Sequence, residues 1–485
     1  MKTLKDLLYG ISLERVEGST SVTITSIAFD SRKVSEGSMF IAVRGVQVDG
    51  HDFIDSAIEN GASVIVVEEI PAILKTGIVY VQTDCTREAL SMIAANYYGN
   101  PSKDMRVVGV TGTNGKTTVA TLLYQLFTEL GYSCGLLSTV EVRVTDKIFK
   151  ATHTTPDPLQ IQSYIAQMRD AGVAYCFMEV SSHGIDQKRA KGIQFDGALF
   201  TNLSHDHLDY HKDFASYRDV KKSWFDQLPK SAFAISNNDD KNGAVMLQNT
   251  VAKRRFYGLH SLCDYKASVV EMRFDGMLLR VEGKELWTRL TGRFNAYNLL
   301  LVYGAAIELG VAEDELLTAM TNLKPAPGRL NWVNGANGVY GVVDFAHTPD
   351  ALENVLDSIN AIRTHNESLI TVVGCGGDKD RAKRPKMGAI AARLSSKVII
   401  TSDNPRSEDP KLIADAIFEG VSVEHRSKVF IQLDRAEAIR MAVALASPGD
   451  VVVVAGKGHE TEQIIGDKRI PFSDYEQLSN SLNPR

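Results

Sequence analysis

The sequence predicts an α/β protein with parallel β-sheets. Short runs rich in β-branched residues recur along the chain, and each is followed by turn residues and then by apolar positions at helical spacing. This alternation is typical of βαβ units. The clearest predicted strands are residues 63–67, 106–110, 369–373, 397–401 and 451–455.

The chain is long enough for several domains. It has 485 residues, and a typical domain has about 150, so we expect about three. Breaker clusters at residues 97–101 and 324–328 divide it into predicted domains at residues 1–98, 99–327 and 328–485. In the first of them we expect strands and a single helix around residues 54–60.

Charge and hydropathy exclude several classes of partner. The chain has 53 basic and 59 acidic residues, a net charge of −6, and no long block of like charge. We therefore expect no nucleic acid and no anionic membrane as partner. No apolar run approaches the ~20 residues of a membrane span, and the N-terminus has no continuous apolar stretch of a secretory signal. We expect a cytoplasmic monomer.

The five cysteines do not suggest chemistry. They are scattered singly without zinc-binding spacing. Cys134, Cys176 and Cys375 lie in apolar or glycine-rich stretches, where a small buried thiol is expected.

The strongest motif is Val107-Val-Gly-Val-Thr-Gly-Thr-Asn-Gly-Lys-Thr-Thr118. An apolar strand, a glycine turn and a Lys-Thr pair that opens an amphipathic helix form the context of a phosphate-binding loop. Backbone amides would hold phosphate oxygens, Lys116 would neutralise them, and Thr117 would reach a magnesium ion. The spacing departs from the strict pattern, because five residues separate Gly109 from Gly115 and Val110 stands at the position of the first glycine.

Three polar features follow the phosphate loop. Glu179 ends an apolar run and is either a magnesium ligand or a solvated strand end. Residues 201–211 hold three histidines and two aspartates, which fits a metal site or a polar loop equally well. Lys221 lies in a predicted helix, where residue chemistry alone favours a solvated lysine.

Two later segments follow predicted strands. Gly374-Cys-Gly-Gly-Asp-Lys-Asp-Arg-Ala-Lys-Arg-Pro385 places basic residues behind a glycine turn, which suits an anion at a sheet edge. Thr401-Ser-Asp-Asn-Pro-Arg406 ends in an arginine that is able to bind a carboxylate with two hydrogen bonds. Ordinary strand-end loops remain the alternative for both.

Together these strings resemble the Mur ligase family. The likeness covers all three predicted domains. It is carried by Asp30-Ser-Arg32, Asp49-Gly-His51, Thr111-Gly-Thr-Asn-Gly-Lys-Thr117, Thr154-Thr-Pro156, Glu179-Val-Ser-Ser-His183, Asp206-His-Leu-Asp209, Phe294-Asn-Ala-Tyr-Asn298, Asp344-Phe-Ala-His-Thr-Pro349, Asp403-Asn-Pro-Arg406 and Gly456-Lys-Gly-His-Glu460.

The resemblance implies a fold and a reaction. The fold has an N-terminal domain for the uridine end of a nucleotide sugar, a central P-loop ATPase domain with a parallel sheet, and a C-terminal Rossmann-like domain. In the reaction, ATP phosphorylates the D-glutamate carboxylate of UDP-MurNAc-L-Ala-D-Glu, and an amine attacks the acyl phosphate during peptidoglycan precursor synthesis. Phosphoryl transfer between anions needs metal and cationic groups, in agreement with the motifs.

The resemblance also assigns residues. For ATP it implies Thr111, Gly112, Thr113, Asn114, Gly115, Lys116, Thr117, Asn295, Asn298, Arg329 and Asp344. For two magnesium ions it implies Thr117, Glu179, His207 and Lys221, the last as a carbamate made with CO2 (N6-carboxylysine), and it makes Lys116, Lys221 and His207 catalytic. For the muramoyl dipeptide substrate it implies Thr154, Thr155, Ser181 and Arg189, with Ser31 and Arg32 nearer the uridine end.

The third substrate is inferred from Asp403-Asn-Pro-Arg406, a string that resembles the family members that add meso-diaminopimelate. The implied contacts are Lys379, Asp403, Asn404, Pro405, Arg406, Gly456 and Glu460. A far-end carboxylate gives Arg406 a partner, whereas the ammonium of L-lysine would be repelled. Lys379 departs from the family, because many members have arginine there and lysine lacks the planar fork.

Three alternatives remain open at this point. The first is the same reaction with L-lysine as the added amino acid. The second is a folylpolyglutamate synthase, which the N-terminal motifs and the Asp403-Asn-Pro-Arg406 string disfavour. The third is an ATP-binding regulatory or scaffold protein built on a decayed ligase. This alternative is disfavoured by the presence of Lys116, Glu179, His207 and Lys221.

Overall fold

The computed structural model describes residues 2–45, 48–204, 206, 210–364 and 366–484. These form two compact units, residues 1–111 with 131–198 and residues 112–130 with 199–485. Within the described part of the chain, no helix is both long enough and apolar enough to cross a membrane. The predicted α/β class is confirmed.

The first stretch of the chain carries seven strands and three helices among its described residues. They are β1 (Lys2–Thr3), α1 (Leu4–Leu7), β2 (Arg15–Glu17), β3 (Thr23–Ile24), β4 (Ile27–Ala28), β5 (Ser38–Ile41), α2 (Ile54–Glu59), β6 (Ala62–Val67), β7 (Val79–Gln82) and α3 (Thr86–Tyr98). The expectation of a single helix here is wrong. Helix α3 has no side-chain N-cap, and burial of its apolar face, including Leu90 and Ile93, stabilises it instead.

The middle stretch of the chain contains the predicted phosphate loop between β8 and α4. Its elements are β8 (Arg106–Thr111), α4 (Lys116–Glu129), β9 (Cys134–Leu137), β10 (Glu141–Val144), β11 (Lys147–Lys150), α5 (Pro158–Asp170), β12 (Tyr175–Glu179), α6 (Ser182–Asp186), β13 (Gly197–Phe200), α7 (Phe214–Asp226), β14 (Phe233–Asn237), α8 (Gly243–Met246) and β15 (Lys253–Gly258). Helix α5 starts where Asp157 caps it and proline occupies its first turn.

The last stretch of the chain begins with a meander and continues as alternating strands and helices. Its elements are β16 (Tyr265–Arg273), β17 (Gly276–Val281), β18 (Lys284–Thr288), α9 (Arg293–Glu308), α10 (Glu313–Met320), β19 (Asn331–Asn334), β20 (Tyr340–Asp344), α11 (Pro349–Asn360), β21 (Leu369–Val373), α12 (Lys383–Leu394), β22 (Lys397–Ile400), α13 (Pro410–Glu419), β23 (Val429–Ile431), α14 (Arg435–Ala444), β24 (Val451–Ala455), β25 (Glu462–Ile465), β26 (Lys468–Pro471) and α15 (Asp474–Leu482).

Besides the short antiparallel pair of β1 and β3, the described residues of the unit that starts at the N-terminus hold two groups of paired strands. One sheet has the order β2-β7-β6-β5-β4, with apolar clusters on both faces of its parallel strands. In the other group, β12 lies parallel to both β8 and β9. Glu179 is aligned with Val110 at the carboxyl end of β12, so the polar residues that follow β12 leave the sheet at this edge.

The other unit contains a six-stranded sheet with the order β19-β20-β24-β21-β22-β23, of which only β19 runs antiparallel. Buried apolar clusters cover both faces, as parallel sheets require. Asp344 and Val373 both pair with Ala455. This register brings the loops after β20, β21 and β24 to one edge, where ligands of open parallel sheets bind.

Candidate active site

The phosphate loop requires glycine at two of its positions. At Gly112, where φ is +149°, a Cβ atom would come within 1.9 Å of Thr201 Oγ1. At Gly115, where φ is +88°, a Cβ would come within 2.7 Å of Asn298 Oδ1. The loop therefore packs directly against Asn298, which the resemblance assigns to the nucleotide, and opens α4 at Lys116.

Two lysine side chains meet at one carbonyl oxygen of this loop. Lys116 Nζ donates to Gly112 O at 3.0 Å and to Thr113 O at 2.8 Å. Lys221 Nζ donates to the same Gly112 oxygen at 3.0 Å. The structure thus brings together two predicted site residues that are distant in the sequence.

Lys221 is buried, with only 1% of its surface exposed, so the expectation of a solvated helix lysine is wrong. It lies on α7 with Tyr217, Trp224 and Phe225, the buried stripe of that helix, and this spacing was a sequence signal for its burial. Burial, with the neighbouring Lys116 ammonium as a second cause, holds the pKa of Lys221 well below its usual value. A neutral amine is a nucleophile, whereas an ammonium is not.

Polar side chains from other elements hold the loop in place. Thr113 Oγ1 lies 3.1 Å from Tyr217 Oη, and Asn202 Oδ1 accepts from the Asn114 amide at 3.0 Å. The Asn114 side chain donates to Asp350 Oδ2 at 2.8 Å. Burial raises the pKa of Asp350, although hydrogen bonds from the side chains of Ser204 and Asn114 oppose the shift. Sequence reasoning missed Tyr217, Asn202 and Asp350, because no local pattern links them to the loop.

A cavity of about 730 Å³ adjoins the phosphate loop. Among its lining residues are Asn298, Arg329 and Asp344, which the resemblance assigns to ATP. Asn295 Nδ2 donates to Thr291 O at 2.8 Å, and Asn298 Nδ2 donates to Asn295 Oδ1 at 3.1 Å. The two asparagines therefore form a buried, mutually oriented pair beside the cavity.

Arg329 contacts the start of α4, and the backbone amide of the next residue contacts Asp344. Arg329 Nη2 donates to Thr117 Oγ1 at 3.2 Å, and the Leu330 amide donates to Asp344 Oδ2 at 2.7 Å. Burial raises the pKa of Asp344 to about 6, although Arg329 and backbone hydrogen bonds oppose the shift. The guanidinium of Arg329 also lies 4.7 Å from the ring centre of Phe345.

Asp239 also lines the cavity, although no sequence pattern marks it. Its carboxylate accepts from the hydroxyls of Ser261, at 2.5 Å, and Tyr297, at 2.9 Å, and from three backbone amides. Burial raises its pKa, but these hydrogen bonds outweigh burial and lower the pKa to about 2. Asp239 is therefore a fixed anion at the wall of the cavity.

Glu179 is 1% exposed, so its interpretation as a solvated strand end is wrong. Its carboxylate accepts from the Thr139 amide at 2.7 Å and from Thr139 Oγ1 at 3.2 Å. A fixed carboxylate of this kind suits a hard cation such as Mg²⁺. His207 lies outside the described residues, and among those that are described no three His, Cys, Asp or Glu side chains cluster as a metal site.

The predicted muramoyl-dipeptide residues are interconnected. Thr155 Oγ1 donates to Glu179 O and accepts from the Ser181 amide, both at 3.0 Å, and Arg189 Nη1 donates to Thr155 O at 2.6 Å. Thr154 Oγ1 accepts from Thr139 Oγ1 at 3.1 Å. These contacts bring all four predicted residues to one edge of the sheet that contains β12.

A second cavity, of about 270 Å³, has Arg189 in its wall. Arg44, Arg87 and His153 line it as well, and sequence reasoning missed them because isolated basic residues carry no pattern. Of the residues predicted near the uridine end, Ser31 is buried. The Arg32 side chain is 87% exposed and is paired with Asp30 at 2.9 Å.

The predicted amino-acid residues meet on the loops after β22 and β24. Arg406, in a left-handed conformation with φ +51°, donates through Nη1 to Gly377 O at 2.8 Å and Asn404 O at 3.4 Å. Gly456 has φ +120°, and a Cβ there would come within 2.6 Å of Asp403 Oδ2. Pro405 precedes Arg406 on this loop, whereas Lys379 is exposed on the neighbouring one.

Two buried cations in this region were missed. Lys457 is 0% exposed and contacts both Asn404 and Glu460. Arg435 makes a fully buried, two-bond ion pair with Asp474, each bond 2.7 Å long, and donates to Ala455 O at 3.0 Å. Arg435 begins α14 and has helical spacing with Ala438 and Ile439 on the buried stripe of that helix, which was a sequence signal for its burial. No periodicity marks Lys457, which comes shortly after the end of β24.

Comparison with known proteins identifies the family. Family models match residues 23–98 (Mur ligase family, catalytic domain), 110–306 (Mur ligase middle domain) and 328–458 (Mur ligase, glutamate ligase domain). A UDP-N-acetylmuramoyl-L-alanyl-D-glutamate–2,6-diaminopimelate ligase of Cytophaga hutchinsonii is 51% identical over 97% of both chains. The chain belongs to the Mur ligase family. The predicted family, and with it the ligase class, is confirmed.

Further similar proteins support the same family assignment. The enzyme of the same name from Bacteroides thetaiotaomicron is 48% identical over 99% of this chain and 100% of its own. A solved structure of a ligase of that name has a TM-score of 0.71 at 30% identity, covering 99% of this chain and 98% of the other. A Thermotoga maritima MurF ligase solved with ADP has a TM-score of 0.61 at 20% identity, covering 89% and 93%, and shows a common fold.

Proposed function

We propose that this Mur ligase uses ATP to add meso-diaminopimelate to the D-glutamate of UDP-MurNAc-L-Ala-D-Glu, in peptidoglycan precursor synthesis. The relatives that are 51% and 48% identical over nearly their whole length carry the name of that activity. The observation that carries the proposal in the structure is the meeting of Lys116 and Lys221 at the Gly112 carbonyl. In this arrangement the lysine that we propose to bind phosphate lies beside a buried amine.

The phosphate loop would hold the ATP phosphates. Lys116 turns from its loop carbonyls to the transferred phosphoryl group, and Arg329, which contacts Thr117, adds a second cation. The substrate carboxylate attacks the terminal phosphorus and ADP leaves, which yields an acyl phosphate. These cations stabilise the charge that spreads over the phosphoryl oxygens.

Asn295, Asn298 and Asp344 would surround the nucleoside. The asparagine pair is buried and orientated, and Asp344 presents a carboxylate at the cavity wall. Carboxylate oxygens accept hydrogen bonds from ribose hydroxyls. Thr154, Thr155, Ser181 and Arg189 would position the dipeptide, with Ser31 and Arg32 toward the uridine.

The residues present fit magnesium in chemical type. The Thr117 hydroxyl and the fixed Glu179 carboxylate are hard oxygen donors, and a carbamate on Lys221 would be another. The neutral Lys221 amine attacks CO2, forms an N–C bond and releases a proton, which leaves an anionic carbamate. Bound Mg²⁺ would supply charge neutralisation for phosphoryl transfer. His207 is proposed as a ligand from the resemblance alone.

The loops after β22 and β24 would select the incoming amino acid. Arg406 would bind the far carboxylate of diaminopimelate, and Asp403, Asn404, Gly456 and Glu460 would surround the far ammonium. The near amine attacks the acyl phosphate carbon, phosphate leaves with the C–O bond electrons, and an amide forms. L-Lysine is the second candidate substrate. The one observation that favours it is Lys379, which stands where many family members have arginine.

One assay tests the function. We would measure phosphate release with ATP, Mg²⁺ and the muramoyl dipeptide, comparing meso-diaminopimelate with L-lysine. We expect release with diaminopimelate and little with L-lysine. Release with L-lysine alone would make the second candidate correct, and no release with either would refute the ligase proposal.

A further inference from the structure

The side chain of Lys457 is fully buried beside residues proposed to bind the amino acid. Its Nζ donates to Glu460 Oε2 at 2.8 Å and to Asn404 Oδ1 at 3.0 Å. Asn404 Nδ2 also donates to Glu460 Oε2, at 2.8 Å, which closes a triangle. The Ile464 amide donates to Asn404 Oδ1 at 2.9 Å and fixes the amide group.

This Lys457–Asn404–Glu460 triangle is electrically neutral. Lys457 contributes one positive charge, Glu460 one negative charge and Asn404 none. Lys457 has no exposed side-chain surface, whereas Glu460 is 33% exposed. The carboxylate therefore faces the surface of the loop, and the lysine lies behind it.

The triangle is joined to Arg406 through Asn404. The backbone oxygen of Asn404 accepts from Arg406 Nη1, and its side chain belongs to the triangle. The arginine proposed for the far carboxylate and the glutamate proposed for the far ammonium are thus held by one residue. Any amino acid that contacts both Arg406 and Glu460 therefore lies in the electrostatic field of Lys457.

We propose that Lys457 sets the preference for a zwitterionic far end over a lone ammonium, an inference that rests on the proposed function. The far end of meso-diaminopimelate carries one carboxylate and one ammonium, with no net charge. The far end of L-lysine carries one ammonium only. Because Lys457 already neutralises Glu460, a second lone ammonium beside Glu460 is repelled without compensation. The carboxylate of diaminopimelate compensates that repulsion.

The charge of the triangle can be changed in both directions. Lys457→Met makes it negative, Glu460→Gln makes it positive, and the double variant makes it neutral again. The measured quantity is kcat/KM for meso-diaminopimelate divided by kcat/KM for L-lysine. Loss of the Glu460 contact to an ammonium affects both substrates and largely cancels in this ratio.

We expect the ratio to follow the net charge of the triangle. Glu460→Gln should give the highest ratio, the native protein and the double variant similar intermediate ratios, and Lys457→Met the lowest. Lys457→Met should lower the ratio at least about tenfold, because like-charge contacts of this kind are worth more than one factor of ten. The KM for ATP should change little in all variants.

Lys397→Met is the matched control. Lys397 begins β22, at the opposite end of the strand from Asn404, and donates to Leu445 O at 3.2 Å. The Lys397→Met substitution should leave the ratio of the two kcat/KM values unchanged. Thermal unfolding of each variant identifies any that do not fold. If Lys457→Met does not fold, Glu460→Gln and the double variant can still be compared. Glu460→Gln should then have the higher ratio of the two.

The outcomes separate the two proposals. A folded Lys457→Met protein with the native ratio, or a double variant whose ratio does not return toward the native one, would overturn the role of Lys457. A native protein that used neither amino acid would instead overturn the proposed function.

Discussion

Two lysines of this protein are equally buried and have opposite surroundings. Lys221 donates to a loop carbonyl and lies near the ammonium of Lys116. Lys457 donates to a carboxylate, that of Glu460. Burial and the ammonium of Lys116 both disfavour the charged form of Lys221, and a neutral amine is nucleophilic. The two lysines therefore differ in the charge of their neighbours.

The comparison shows why burial of a lysine does not by itself indicate a reactive amine. The pKa of Lys221 falls well below its usual value because burial and Lys116 act in the same direction. Lys457 is also fully buried but lies beside a carboxylate instead of a cation. We propose modification by CO2 for Lys221 and electrostatic selection of the amino acid for Lys457.

The largest expected effect comes from removing the cation beside Lys221. Lys116→Ala should lower turnover by at least about a thousandfold, because the loop loses the charge that stabilises the transferred phosphoryl group. Phosphate release at saturating substrates measures it. Lys397→Met, outside the loop, is the control, and retained turnover in Lys116→Ala would remove the assignment of the phosphate loop.

Removing the buried amine should come next. Lys221→Ala should fold and lose at least about a hundredfold in kcat, because no carbamate is formed to hold the metal. Small carboxylic acids should restore part of the activity by supplying the missing anionic oxygen. A fully active variant, or one that added carboxylate does not rescue, would count against the carbamate.

A smaller effect is expected at the carboxylate partner of the amino-acid site. Arg406→Ala should raise the KM for diaminopimelate by about ten- to a hundredfold, as expected for a lost charge-assisted pair. The KM for ATP should change far less, and initial rates at varied concentrations of each substrate measure both. Equal effects on the KM for diaminopimelate and the KM for ATP would contradict the assignment of Arg406 to the amino-acid site.

The smallest effects are expected on stability. Replacing the two lysines should change the free energy of unfolding in opposite directions. In CO2-free and metal-free buffer, Lys221→Met should raise the free energy of unfolding, because the folded protein no longer buries an amine whose charged form burial and Lys116 disfavour. Lys457→Met should lower it by about 1–3 kcal/mol, because Glu460 loses its partner. Denaturant titration measures both.

The pH dependence of the folding stability tests the depressed pKa of Lys221. Because its pKa is depressed in the folded protein, the unfolded chain holds a proton that the folded chain does not. The stability of the native protein should therefore rise with pH between the folded and the unfolded pKa of this lysine. Lys221→Met should lack this slope, and an identical slope in both proteins would contradict the depressed pKa.

Much of the fold could be predicted because its signals are local. The strand predicted at residues 451–455 is β24 (Val451–Ala455), and the apolar periodicity after Lys116 is α4. Helix α3 was missed, since it has no capping side chain and depends on packing of Leu90 and Ile93.

The sequence by itself determined the α/β class, the phosphate loop and the family resemblance, because strand period, glycine turns and motif spacing are properties of neighbouring residues. Only the tertiary structure decided the burial and the charged neighbours of Lys221 and Lys457. The Lys221 amine lies 109 positions from the carbonyl of Gly112, and Lys457 lies 53 from Asn404. Electrostatic energy depends on distance in space and on burial, and neither is a local property of the chain.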